Sequence, residues 1–363
     1  MPRLSLQTRV WTRRGILFTP VSLLAQSHRQ FPSERTKYSD PATEFDVYRL
    51  TDPGFKSVLP SASSRIFTRR GNLLLHASDR SGALQAYGLD LKNWQIRQLT
   101  EARSLDPSCL TLTPDERNLC YADGASVMAV SMAGGREREL CKVEGEPRPG
   151  RGLAAIPDLS TVLYVEDGTR LRAVSMLKPG ARTVAENKGG VFEPRPRPRR
   201  ASILYHTDAG DLWLAHLDGS RNFRLKLPPG GTGPAHWAPD GRTIFYLQSA
   251  ALREHNPDTS EDRLVAATSG YASFSPNADA SVFVGASGSK AQPFILLMLR
   301  LVRRELALCE HKSSAVAGVS PVFSPDSQRI FFQSDRHGKP AIYSMQIERL
   351  IEKTELEKTG TVN

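Results

Sequence analysis

A short phrase recurs six or seven times along this chain at a spacing of about 43 residues. Its fullest copy is Ser324-Pro325-Asp326, followed by the apolar run Ile330-Phe331-Phe332 and by Ser334-Asp335. Other copies read Thr113-Pro114-Asp115, Ile156-Pro157-Asp158, Ala238-Pro239-Asp240-Gly241 and Ser275-Pro276-Asn277. Proline has no N–H to give to a sheet, so it stands before a strand. The Asp or Asn beside it can accept from nearby backbone N–H groups and start a turn. Each copy is a turn leading into a strand, and the repeat length is that of one four-stranded propeller blade. The same chemistry assigns Pro114, Asp115, Pro239, Asp240, Pro276, Asn277, Pro325 and Asp326 to turns. None of the copies has the acidic spacing of a calcium loop.

Blades can be counted from strand patterns joined by short turns. The first carries Asn72–Ala77, Leu84–Leu89 and Gln95–Leu99, and the pattern returns in the five that follow. The fifth holds a longer segment through Glu254-His255-Asn256-Pro257. The seventh has Arg329–Gln333 and Ala341–Gln346 but no outer strand, because the chain turns charged after Ile347. The missing phrase stands at the other end. Val47-Tyr48-Arg49-Leu50-Thr51 matches Ile96-Arg97-Gln98-Leu99-Thr100, the outer strand of blade one. The expected fold is all-β: a seven-bladed β-propeller of four-stranded antiparallel blades. N- and C-terminal strands close it and remove the open edge. A degenerate turn in blade four and the long segment in blade five leave six or eight blades open.

Residues 1–25 read as an export signal, 26–44 as a polar linker, 45–347 as the propeller and 348–363 as a charged tail. The leader places Arg9, Arg13 and Arg14 before the apolar run that ends near Ala25. Basic-then-apolar order is that of a secretory signal, and Thr12-Arg13-Arg14-Gly15-Ile16-Leu17 resembles a twin-arginine signal. The expected location is the bacterial periplasm or the medium, with no transmembrane anchor. The formal charge of +10 falls to +6 without the leader, which holds four arginines and no acid. Cys109, Cys120, Cys141 and Cys309 form no CxxC pair, and their spacing selects no disulfide.

Much of the remaining positive charge is local, in Arg195, Arg197, Arg199 and Arg200 interleaved with Pro194, Pro196 and Pro198. That spacing suits an extended solvated connection. As a contact for an acidic oligosaccharide, Arg195 and Arg197 are candidates together with Trp237. No aromatic interleaving or nucleic-acid module accompanies the basic cluster, so no nucleic acid is expected.

The repeated phrase, with Ser334-Asp335-Arg336-His337-Gly338 after its last copy, resembles the TolB-type propellers. More narrowly, residues 45–347 resemble the bacterial oligogalacturonate lyases, most strongly at Phe323-Ser324-Pro325-Asp326 with Ile330-Phe331-Phe332 and at Trp237-Ala238-Pro239-Asp240-Gly241. The resemblance implies β-elimination of short pectic uronides around a metal, Mn or Ca. It also implies metal-binding histidines just before the last SPD phrase, where this chain reads Ala317-Gly318-Val319-Ser320-Pro321-Val322-Phe323. A further histidine of the family falls at Pro234, leaving His236 displaced by two residues as the candidate catalytic base. His255 and His311 are the remaining candidate metal ligands. His206 and His216 read as packing or sheet-surface residues, and His337 as a hairpin residue. The leading reading is an exported, catalytically altered propeller that binds a carbohydrate or protein partner. A working lyase and a structural interaction platform are the alternatives that fit the same scaffold.

Overall fold

The computed structural model describes residues 29–350 apart from 146, 147, 158, 159 and 349. The leader and most of the charged tail lie outside the described residues. Seven antiparallel sheets make up the described chain, five with four strands and two with five. They form a seven-bladed propeller.

Each blade adds an inner strand that the sequence patterns did not display. In blade four the order from the centre outward is Phe192–Pro196, Ser202–His206, Leu212–His216 and Asn222–Arg224. The inner strand lies at the free edge of its sheet, so one side needs no N–H donors and tolerates Pro194 and Pro196. This overturns the reading of the proline-spaced arginines as a solvated connection. Arg195 and Arg197 are 5% and 2% exposed, and only Arg199 and Arg200 are exposed.

The second strand of each blade is sandwiched between two neighbours, which explains the unbroken apolar triplets. Along Arg329–Ser334, Phe331 points into the cluster shared with blade one, while Ile330 and Phe332 point into the cluster shared with blade six. Alternate side chains of one strand thus fill opposite seams. Leu119 and Tyr121 against Cys120 repeat the arrangement in blade two. Burying a side chain of this size contributes about 1.5–3 kcal/mol.

Turns before the second strands share one hydrogen-bond device. Asp115, Asp240 and Asp326 each accept from the backbone N–H two residues on, at 3.1, 2.9 and 3.1 Å. In blade six the equivalent acceptor is Asp279, at 3.0 Å from the Ser281 N–H. The turn there begins at Asn277, whose carbonyl accepts from Ala280. Pro276 instead ends the inner strand Tyr271–Pro276, a shift of register from the sequence reading.

Closure follows the expected pairing. The strand Asp46–Arg49 lies antiparallel to Ala341–Gln346, with Tyr48 opposite Ser344 and Arg49 opposite Tyr343. The segment read as a polar linker goes further than expected. Thr36–Ser39 adds a fifth strand to blade seven, and Gln30–Phe31 pairs with the outer strand of blade one. Between them Arg35 lies over the rings of Tyr48 and Trp94, at 4.0 and 4.7 Å. An ion pair between Glu34 and Arg80 fixes the same stretch. Polar residues suit this position because an edge strand has a solvated outer side. Cys109, Cys120, Cys141 and Cys309 are all free thiols. No described helix is long and apolar enough to cross a membrane.

Candidate functional site

A cavity of about 1490 Å³ runs through the centre of the propeller. Pro114, Pro157, Pro198, Pro239, Pro276 and Pro325 line one part of it, so the repeated turns gather around the opening. Segment 59–65 crosses the other part. Its Leu59 N–H donates to Gln333 of blade seven at 2.7 Å, and the Ser61 hydroxyl donates to Glu193 of blade four at 3.0 Å.

Blade four supplies most of the polar chemistry. Glu193 and Arg195 stand two positions apart on the inner strand and form an ion pair at 2.6 Å. Burial pushes the Glu193 carboxyl upward, but the Arg195 guanidinium and the Ser61 hydroxyl outweigh it and hold the group below the usual carboxylate range. Glu193 also has a positive φ of 49° at an irregularity in the pairing with the next strand. Such a backbone conformation is uncommon outside glycine. The other arm of Arg195 reaches His236 Nδ1 at 3.1 Å.

The hydrogen bonds define both cavity histidines. A guanidinium can only donate, so Nδ1 of His236 accepts and the proton of the neutral ring sits on Nε2. The Phe274 side chain meets this ring edge-on at 4.9 Å between centroids. Burial, then the Arg195 charge, drives His236 well below the ordinary imidazole pKa. Its lone pair is thus already taken, which is poor preparation for a base.

His206 is arranged the other way. It ends the strand Ser202–His206, is 5% exposed and lines the cavity. Nε2 lies 3.2 Å from the Gly233 carbonyl, which can only accept, so Nε2 carries the proton. Nδ1 therefore holds a lone pair, and no group among the described residues bonds to it. Burial and then the Arg195 charge lower its pKa to about 4, against the opposing pull of Glu193. The ring is neutral and available as an acceptor at ordinary pH. The hydroxyls of Ser64 and Ser273, also in the cavity wall, likewise have no partner among the described residues.

Among the described residues, arginines 65, 69, 151 and 195 line the cavity against two carboxylates, Glu193 and Asp208. Arg151 is paired with Asp208, and Arg195 with Glu193. Arg69 donates to the Pro114 carbonyl at 2.8 Å. Arg65 is half-buried, and among the described residues its guanidinium has no hydrogen bond and no ion pair. Burial, followed by repulsion from Arg69, lowers its pKa.

Several sequence candidates lie elsewhere. Trp237 is buried, donates its indole N–H to the Arg195 carbonyl at 3.0 Å and lies 5.0 Å beneath Arg197. Arg197 binds both oxygens of Asp258, at 2.9 and 2.6 Å, and the Gly241 carbonyl at 2.6 Å. These residues clamp blades four and five together. His255 closes the strand Ala251–His255 rather than sitting in a loop, and its nearest acid is Asp262 at 3.5 Å. Both nitrogens of His311 are engaged, with the Ser287 carbonyl at 3.0 Å and the Ser313 N–H at 3.1 Å. His216 is bonded to Asp218 at 2.7 Å, and His337 to Tyr343 at 2.9 Å.

A divalent metal needs several convergent imidazole or carboxylate donors. Among the described residues no group of three or more His, Cys, Asp or Glu is placed to hold one. The cavity's own donor set fits poorly, because a guanidinium already lies against the lone pair of His236. Blade seven contributes Ala317, Ser320, Pro321, Val322, Phe323 and Ser324 to the wall, none of them a strong metal ligand.

Glu193, Arg65 and the availability of His206 escaped the sequence reading. A signal existed for the first. Glu193 and Arg195 share a face if Phe192–Pro196 is a strand, but its prolines disguised it.

No protein-family model matches the chain. It is 23% identical over 370 aligned positions to an oligogalacturonide lyase of Pectobacterium atrosepticum, covering 85% of this chain and 95% of that protein. An oligogalacturonate lyase of Dickeya dadantii gives 23% over 369 positions with the same coverage. Among solved structures, an oligogalacturonate lyase in complex with manganese superposes with a TM-score of 0.80 at 23% identity, covering 88% of this chain and 98% of that one. The oligogalacturonate lyase of Vibrio parahaemolyticus gives 0.79 at 21% with the same coverage. A more distant propeller, the Cps50 (Swd1) domain of Myceliophteria thermophila, gives 0.60 at 13%, covering 78% and 96%. In sequence and in fold, the chain resembles the bacterial oligogalacturonate lyases along nearly their whole length.

Proposed function

We propose that the central cavity binds an acidic oligosaccharide and eliminates across its uronate ring, with His206 as the base. The observation that carries this reading is the unpartnered Nδ1 of His206 in the wall of a cavity with excess cationic charge. The resemblance to curated lyases points to the same substrate class.

β-Elimination breaks the C5–H bond next to the uronate carboxylate. Nδ1 of His206 takes that proton, and the electron pair becomes the C4=C5 double bond. The C4–O bond breaks, the departing oxygen takes a proton from solvent water, and the imidazolium returns its proton to the hydroxide left behind. General-base assistance of this kind is worth about 10²–10⁴ in rate. Negative charge builds on the carboxylate as the proton leaves, so a fixed cation beside it lowers the barrier. The Glu193–Arg195 pair has a separate task. Its Arg195 charge adds to burial in keeping the His206 ring neutral, against the pull of Glu193, which leaves the Nδ1 lone pair unprotonated.

Incubation with saturated and unsaturated oligogalacturonides tests the proposal. Ultraviolet absorbance from the new double bond and product masses should rise together. Binding without turnover would instead support a catalytically altered carbohydrate-binding propeller, which the engaged lone pair of His236 favours. Neither binding nor turnover would move the reading to a protein-interaction platform.

Export through the arginine-rich leader completes the proposal. Intact mass of protein recovered from the periplasm or medium should show loss of about 25 residues. An intact Met1 on an exclusively cytoplasmic product would overturn it.

A further inference from the structure

We propose that the cation which meets the substrate carboxylate in this cavity is the Arg65 guanidinium and not a metal ion. The inference rests on the uronate reading of the same site.

Three observations support it. The first is the missing donor set: two histidines reach the cavity, and the lone pair of one is held by Arg195 at 3.1 Å. A divalent ion there would confront a guanidinium at contact distance, with no cluster of acids to offset the repulsion. The second is the state of Arg65. A half-buried guanidinium with no described partner, pressed by the like charge of Arg69, is stabilised when an anion arrives. A carboxylate fits its planar fork with two parallel hydrogen bonds, a geometry that a lysine cannot reproduce.

The third observation is how the backbone holds it. The Arg65 N–H donates to the Thr111 hydroxyl at 3.0 Å, and its carbonyl accepts from Leu112 at 3.0 Å. Arg65 therefore leaves a rigid backbone on blade one while its side chain remains unengaged. The adjoining segment carries Ser61, which donates to Glu193, so the anion site and the charged cluster of blade four are tied by one short piece of chain. Arg151 and Arg195 each have a carboxylate of their own. Arg65 and Arg69 are the cavity arginines without a carboxylate ion pair among the described residues. Arg69 commits its guanidinium to the Pro114 carbonyl, whereas that of Arg65 has no hydrogen bond and only the longer-range pull of Glu116.

The test is calorimetric titration of trigalacturonate into the full chain, with EDTA, with added manganese, and with neither. Affinity should agree within about twofold among the three, and manganese alone should give no saturable heat. Arg65→Gln should weaken trigalacturonate by tenfold or more, because a bidentate charged pair is lost. Arg65→Lys should recover only part of it, with circular dichroism reporting that both variants are folded. One manganese per chain together with loss of trigalacturonate binding in EDTA would overturn the inference and leave the uronate reading standing. Unchanged affinity in both variants would overturn it too. Absence of trigalacturonate binding under every condition would remove both.

Discussion

Blades four and seven wall the same cavity with opposite materials. Blade four brings Glu193, Arg195 and His206, all within hydrogen-bonding or Coulombic reach of one another. Blade seven brings Ala317, Ser320, Pro321 and Val322 and spends its polar capacity on closing the ring. The same four-stranded unit can thus serve as chemistry or as architecture. What separates the two is which side chains the short inner strand turns toward the centre. Outer strands are nearly free of that choice, because among the described residues none of them borders the cavity.

If blade seven is architecture, removing its borrowed strands should do the greatest damage. Deleting residues through Thr51 strips Asp46–Arg49 and Thr36–Ser39 from the sheet and exposes the edge at Ala341–Gln346. Soluble, folded protein should fall sharply, as judged by yield and by the cooperativity of urea unfolding. A normal unfolding curve would break the comparison at its architectural end.

Blade four should respond in rate rather than in fold. His206→Gln is expected to lower kcat/KM for oligogalacturonides by about 10²–10⁴ with the circular dichroism spectrum unchanged. Ser320→Ala on blade seven should stay within about twofold, since no proton transfer involves it. Equal losses at the two positions would mean that the chemistry is spread around the ring.

Charge within blade four also has a purely structural side, two residues from Arg195. Arg197→Ala removes a bidentate pair, a carbonyl contact and the stacking on Trp237. Its stability cost should be about 2–4 kcal/mol in denaturant titration, with little change in KM. A large KM effect would show that the clamp and the cavity are one unit.

The smallest effect concerns acid. His206 keeps a pKa of about 4 when folded, against 6.5 when unfolded. Below pH 6.5 the unfolded chain takes up a proton that the folded chain refuses, so stability falls as pH drops toward 4. From pH 6.5 to 5 this group alone accounts for about 2 kcal/mol. His206→Asn should therefore be inactive yet lose less stability in acid than the parent, a difference that melting temperatures at pH 7 and 5 would reveal. The acid limb of kcat/KM in the parent should likewise fall near pH 4 and not near 6.5. A limb near 6.5 would assign the base elsewhere.

Much of the fold was legible because its signals are local. Pro325-Asp326 sets a turn through its own backbone chemistry, and Ile330-Phe331-Phe332 announces a strand buried on both faces. The match of Val47–Thr51 to Ile96–Thr100 revealed closure because an outer strand has the same surroundings in every blade. Inner strands were nearly silent. Most of them are short, they border a cavity instead of a full sheet, and in blade four prolines and arginines gave Phe192–Pro196 the look of a linker.

The site was harder to read for a related reason. His236 stood out beside Trp237, and the structure does place it at the cavity, but with its lone pair committed to Arg195. His206 looked like one more strand residue until the Gly233 carbonyl fixed its tautomer from a segment 27 positions away. Arg65 carries no motif at all. Repetition, turn chemistry and strand periodicity were determined by the sequence itself, since each depends on neighbours a few residues apart. Which histidine keeps a free lone pair, and which arginine lacks a partner, only the tertiary structure decided, because those properties belong to contacts between blades brought together by closing the ring.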